Sequence, residues 1–169
     1  MKNKNYIKTV FLCFLAMTIF SSCLKDKRYV DFKDVGATID FPAVAFNGGP
    51  FLGITLAASN TPTAFPVPVN VSVPKALSSP VNITIKVDPA ALTAYNTANG
   101  TAYTLMSTTA YNITNLTATV PANQTAGHIT VNFNTSAILP TDVLPLTIVS
   151  TDAGVITQWK TALYNVTVK

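Results

Sequence analysis

Residues 81–87 read VNITIKV, with apolar side chains at Val81, Ile83, Ile85 and Val87 and polar ones at Asn82, Thr84 and Lys86. A strict period of two turns successive side chains to opposite faces, the pattern of a strand buried on one side. β-Branched residues fill the stretch, and they suit a pleated surface. The same alternation recurs outward from it. Val67, Val69, Val71 and Val73 are separated by Pro68, Asn70 and Ser72, and Ile129, Val131 and Phe133 by Thr130 and Asn132. Leu144, Leu146 and Ile148 lead into Val149, and Tyr164, Val166 and Val168 alternate with Asn165 and Thr167. Weaker strands are expected over 37–41, 52–57 and 116–120. The turn-forming stretches NGGP (47–50), SSP (78–80), PAN (121–123) and DAG (152–154) fall between these runs. Seven to eight strands at this spacing predict an all-β sandwich. Pro66 and Pro68 have no N–H for a ladder, which places their strand at an edge or at its start.

One stretch departs from period two. Asp88 is an expected N-cap, Pro89 occupies the first helical position and Gly100 follows the end, so 88–100 predicts one short helix. Leu92 and Tyr95 share a face of it and are expected to cap one end of the sandwich.

The first 22 residues have a different character. MKNKNYIK carries three lysines and no acid, TVFLCFLAMTIF (9–20) is apolar, and Ser21-Ser22-Cys23 follows. Basic, apolar and small in that order is the layout of a secretory signal. The apolar run is too short to span a bilayer, which needs roughly 20 residues. Ser-Ser-Cys resembles the lipobox of bacterial lipoproteins, although Phe20 stands where Leu is usual. That resemblance implies cleavage before Cys23, lipidation of its sulfur and acylation of its amine. The expected organisation is a signal peptide over 1–22, a lipid-anchored tether over 23–35 and a single β-sandwich domain over 36–169. Lys25-Asp26 resembles part of the export tag of surface lipoproteins, so the expected address is the outer membrane, facing outward. Several acyl chains anchor stably where one is marginal.

Composition narrows the function. Hydrophobic residues make up 49% and charged ones 11%, enough apolar surface to offset the entropy of ordering. The net charge of +4 is largely a leader effect, because Lys2, Lys4 and Lys8 lie there. From Cys23 onward eight basic residues face seven Asp, which leaves no nucleic-acid footprint. Cys13 leaves with the leader, so Cys23 has no disulfide partner.

From Val87 to Lys169 the chain resembles a known family. The runs VDPAALTAYNTANGTAYTLM, AYNI, ATVPANQTAGHITVNF, VLPLTIVSTDAGVI and ALYNVTVK follow the order of a Bacteroidota domain of unknown function. That domain stands ahead of endo-β-N-acetylglucosaminidase-like and other cell-surface proteins. Tyr95-Asn96 with Gly100, and Leu144-Pro145-Leu146, match its motifs. The resemblance covers about residues 36–169 and implies an immunoglobulin-like sandwich. Hydrolytic activity, where the family has it, belongs to a following domain, and this chain ends at Lys169 with the last expected strand.

Candidate chemistry is sparse. Glycoside hydrolysis normally needs two flanking carboxylates, yet the chain beyond the leader has no Glu. Asp26, Asp31 and Asp34 fall in the tether, Asp40 ends a strand, Asp88 caps the helix, and Asp142 and Asp152 lie in expected turns. His128 is the only histidine, too few for a zinc site, and no spaced Asp-x-Asp motif suggests calcium. No catalytic residue, metal or cofactor is expected. Asn-x-Ser/Thr triplets such as Asn112-Ile113-Thr114 and Asn115-Leu116-Thr117 read as products of a polar strand face. Aromatic rings that can stack on sugars are the remaining lead: Trp159, in a polar turn and expected to be exposed, with Tyr103 and Tyr111 after the helix. The expected function is a non-catalytic surface module binding a glycan. The alternative is an adhesive module with a protein partner.

Overall fold

The computed structural model describes residues 36–169. Eleven strands and two helices form two facing sheets. They run β1 (Thr38–Asp40), α1 (Pro42–Asn47), β2 (Phe51–Leu56), β3 (Thr63–Ser72), β4 (Val81–Val87), α2 (Pro89–Asn99), β5 (Thr104–Leu105), β6 (Tyr111–Asn112), β7 (Thr117–Val120), β8 (Ala126–Phe133), β9 (Asp142–Thr151), β10 (Val155–Ile156) and β11 (Thr161–Val168), with a 3-10 turn at Thr135–Ala137. The first sheet has the order β10-β1-β3-β8-β6 and the second β2-β11-β9-β4-β7, with β5 beside β9. The chain is an all-β, immunoglobulin-like sandwich. Eight strands have three or more residues; SSP, PAN and DAG fall between elements, and NGGP starts on the last residue of α1 and leads into β2.

The alternation in the sequence is the alternation of burial. Val81, Ile83 and Ile85 are buried and Asn82, Thr84 and Lys86 exposed, as are Val67, Val69 and Val71 against Pro66, Pro68 and Ser72. These inward residues of both sheets join Leu144, Leu146, Ile148, Phe133 and Tyr164 in one core. The centre of β9 breaks the rule, with Asp142 to Ile148 buried on both faces. The cause is α2. Leu92 packs against Val143 and Leu163, with Phe51, Tyr95 and Tyr103 around them, so the helix covers the outer face of the second sheet instead of capping an end.

The ends of α2 follow the sequence only in part. Pro89 opens the helix, and Gly100 closes it in the left-handed region at φ 65°, its N–H donating to the Asn96 carbonyl. Asp88 holds the N-cap position, but its side chain makes no capping bond; it pairs with Lys86 Nζ at 3.3 Å.

Pro66 and Pro68 lie in β3, which has β1 on one flank and β8 on the other. The expectation of an edge holds only locally. Val71 N–H donates to Thr125 on the β8 side, so alternation turns the even-numbered positions toward the β1 flank. There β1 pairs only with Asn70, Val71 and Ser72. Where the next donors would be needed stand Pro68 and Pro66, and the chain leaves the sheet at Phe41 as α1, which packs against β3. This helix has no counterpart in the alternation pattern. Pro42 starts it, Val44 is its buried residue, and Gly48 ends it at φ 68°.

Candidate functional site

The three aromatic candidates lie in three different settings. Trp159 is half-buried and packs against the main core, not exposed as its polar neighbours suggest. Its carbonyl accepts from Phe41 N–H at 3.0 Å, and its own N–H donates to Thr157 Oγ1 at 3.1 Å. Tyr103 belongs to the α2 cluster, with its ring centroid 4.7 Å from that of Phe51. Tyr111 alone lines a sizeable cleft. Cys23, the expected lipidation site, lies outside the described residues.

That cleft, of about 560 Å³, opens at one end of the first sheet. Its floor is a register pair: Asn112 of β6 stands directly opposite Asn132 of β8. Directly opposite residues share a face, and on β8 the neighbours Val131 and Phe133 point into the core, so both amides face outward. One position back, Tyr111 pairs with Phe133 and therefore turns toward the core. Its ring is half-buried and forms a wall, not a free platform, and burial pushes its phenol above the ordinary value.

The walls are tied down by hydrogen bonds. Asn134 N–H donates to the Ala110 carbonyl at 2.8 Å, and its amide nitrogen donates to the Thr109 carbonyl at 3.2 Å, which fixes the loop carrying Thr108 and Thr109. On the other side Ser59 N–H donates to Thr135 Oγ1 at 2.9 Å, and that hydroxyl donates back to the Ser59 carbonyl at 3.1 Å. Thr135 is buried, so this clasp holds the loop bearing Asn60 and Pro62. Among the described residues, the side chains of Asn60, Asn112 and Asn132 make no hydrogen bond to protein, which leaves their donors and acceptors for a ligand or water.

The cleft has no charged lining residue. Asp142 is spent elsewhere: it is buried at the start of β9, not in a turn, and accepts from Thr104 Oγ1 and Leu139 N–H, both at 3.0 Å. Asp152 accepts from the Asn82 backbone and amide. No group of three or more His, Cys, Asp or Glu that could hold a metal exists among the described residues. The arrangement can hydrogen-bond a neutral polyhydroxylated ligand; it has no acid–base pair to cleave one.

Sequence reading missed this floor. Asn112 is visible as a polar residue and Asn132 as an alternating one, but only long-range register sets them side by side.

A family model described as a "-like, N-terminal domain" matches residues 43–155, and the chain belongs to that family of immunoglobulin-like N-terminal domains. A Bacteroides ovatus protein of unknown function is similar at 27% identity and TM-score 0.59, over 70% of this chain and 42% of that one. An auxiliary nutrient binding protein from Bacteroides thetaiotaomicron shares the fold at 16% identity and TM-score 0.58, over 73% and 45%. EndoBT-3987 from the same species, determined with a Man5GlcNAc product, shares it at 17% and TM-score 0.56, over 73% and 30%. The matched region spans less than half of each of these solved chains. No curated protein matches the chain.

Proposed function

We propose that this chain is a non-catalytic accessory module that binds glycan at the cell surface, through the cleft floored by Asn112 and Asn132. The observation that carries the reading is that pair of outward amides, unspent within the protein, between walls of Asn and Thr. Sugar hydroxyls need paired donors and acceptors, and an asparagine amide supplies both. Two neighbours of the same fold support it in kind, one a nutrient binding protein and one holding an oligosaccharide product. Attachment through lipid on Cys23 at the outer membrane belongs to the same proposal; a Cys23→Ala chain should no longer take up radiolabelled fatty acid, and retained label would remove the anchor. A glycan array probed with the full-length chain tests the binding. Signal that disappears with Asn132→Ala is the expected result. No signal above background, or equal signal from the variant, would overturn the reading.

A second reading, an adhesive protein–protein module, is favoured by β2. It pairs with β11 and ends the second sheet, so among the described residues one flank of Phe51–Leu56 has no strand beside it and suits a partner's strand. A glycan-negative chain that binds a surface protein, and loses it when Thr55→Pro removes an outward N–H from the edge, would support this reading.

A further inference from the structure

We infer that the site extends beyond the Asn112–Asn132 cleft and takes a linear, uncharged oligosaccharide laid along β8; the inference rests on the glycan reading above. A second depression, of about 210 Å³, lies beside the first. Asn132 lines both, so the two adjoin at that residue. The second is bounded by Asn115 and Thr114 on one side and by His128 and Thr130 of β8 on the other. From His128 to Phe133 the strand covers roughly 17 Å at the usual rise per residue. That is room for several linked sugar rings, far more than one.

The surface beside this row has the complementary character. In register, Pro68 stands opposite His128, Pro66 opposite Thr130 and Ala64 opposite Asn132. All three β3 residues are exposed on the same outer face. One column is therefore polar and its neighbour apolar, running in parallel along two strands. A pyranose chain has the same division, with hydroxyls at its edges and C–H groups on its ring faces. His128 and Thr130 are exposed, so both are open to a chain laid along β8.

The lining also selects against charge. None of the residues bounding either depression is Asp, Glu, Lys or Arg. An acidic polysaccharide would lose hydration there with no cation to compensate. Amides and hydroxyls that meet a neutral one exchange hydrogen bonds to water for bonds to its hydroxyls.

The test is a calorimetric titration of the full-length chain with manno-, gluco- and xylo-oligosaccharides, from the monosaccharide to the hexasaccharide, and with oligogalacturonides of the same lengths. Affinity should rise with length in at least one neutral series and be absent or weaker for the acidic one. His128→Ala should weaken the hexasaccharide by about tenfold, the worth of one well-made polar contact, and leave the disaccharide unchanged. Asn132→Ala should weaken both. Length-independent binding, or hexasaccharide affinity untouched by His128→Ala, would remove the second depression from the site while the single-cleft function stands. Acidic chains bound as tightly as neutral ones would overturn the charge assignment. Absence of binding by every oligosaccharide would remove the glycan function together with this inference.

Discussion

Gly127 lies so close to Thr119 that a Cβ on the glycine would stand 2.6 Å from the Thr119 carbonyl oxygen. The two residues belong to different sheets, Thr119 to β7 and Gly127 to β8, at the point where the chain crosses from one to the other. The contact fixes how closely the sheets approach at this corner. The neighbour is backbone, so it cannot swing aside as a flexible side chain would. Gly127→Ala should destabilise by about 1–3 kcal/mol, the usual cost of forced overpacking. Urea denaturation checks it; an unchanged midpoint would mean that β7 and β8 are free to separate.

Asp40 predicts a pH dependence. The residue is buried, and among the described residues its Oδ1 has no hydrogen-bond partner. Burial raises its pKa above the ordinary 3.8, and a bond from Asn70 pulls the other way. Burial is the larger of the two causes, so the net shift is upward. The folded state therefore holds the Asp40 proton more tightly than the unfolded state. Stability contributed by the protonated carboxyl is full below the ordinary value and falls as pH rises from 3.8 through the raised folded value. Asp40→Asn should match the parent at low pH and exceed it at neutral pH. Denaturation midpoints across that range decide it; a variant weaker than the parent at neutral pH would show that the ionised group is stabilised by contacts.

The ring of Tyr103 makes a third case. It sits against Phe51 at 4.7 Å, and Phe51 stacks on Tyr95 of α2 at 5.4 Å. Together the rings fasten the helix to the second sheet. Tyr103→Ala should cost about 1–2 kcal/mol, less than the roughly 3–5 of a fully buried aromatic. Amide exchange within Pro89–Asn99 should accelerate before the core strands respond. Glycan affinity at the Asn132 cleft should not change. Lost affinity with an intact helix would bring Tyr103 into the ligand site.

Much of the fold was legible in single stretches. Val81–Val87 alternates because one face of β4 meets the core and the other meets water. Gly100 ends α2 where a left-handed residue is needed. Helix α1 was not legible, since Pro42–Asn47 is six residues with a single buried side chain. Its cause lies elsewhere in the chain, at Pro66 and Pro68, which withhold the ladder from β1. The double burial of β9 was hidden for the same reason: Val143 is covered by Leu92, some fifty residues earlier in the chain. The site was the least legible part. Stacking aromatics are conspicuous in a sequence, but here Trp159 and Tyr103 are engaged in packing. The outward amides Asn112 and Asn132 look like any polar strand residue until register pairs them.

The pairing of β2 with β11 also governs how the molecule can be made. These strands run side by side from Phe51 with Leu163 to Leu56 with Val168, so one of the earliest segments of the domain waits for the last. A chain delivered from its N-terminus cannot close the second sheet until β11 has emerged. Contacts of such long sequence separation slow folding, since loop entropy is spent before they form. Until then β9 shows an unpaired apolar edge, where a chaperone or a second nascent copy would compete with the native partner.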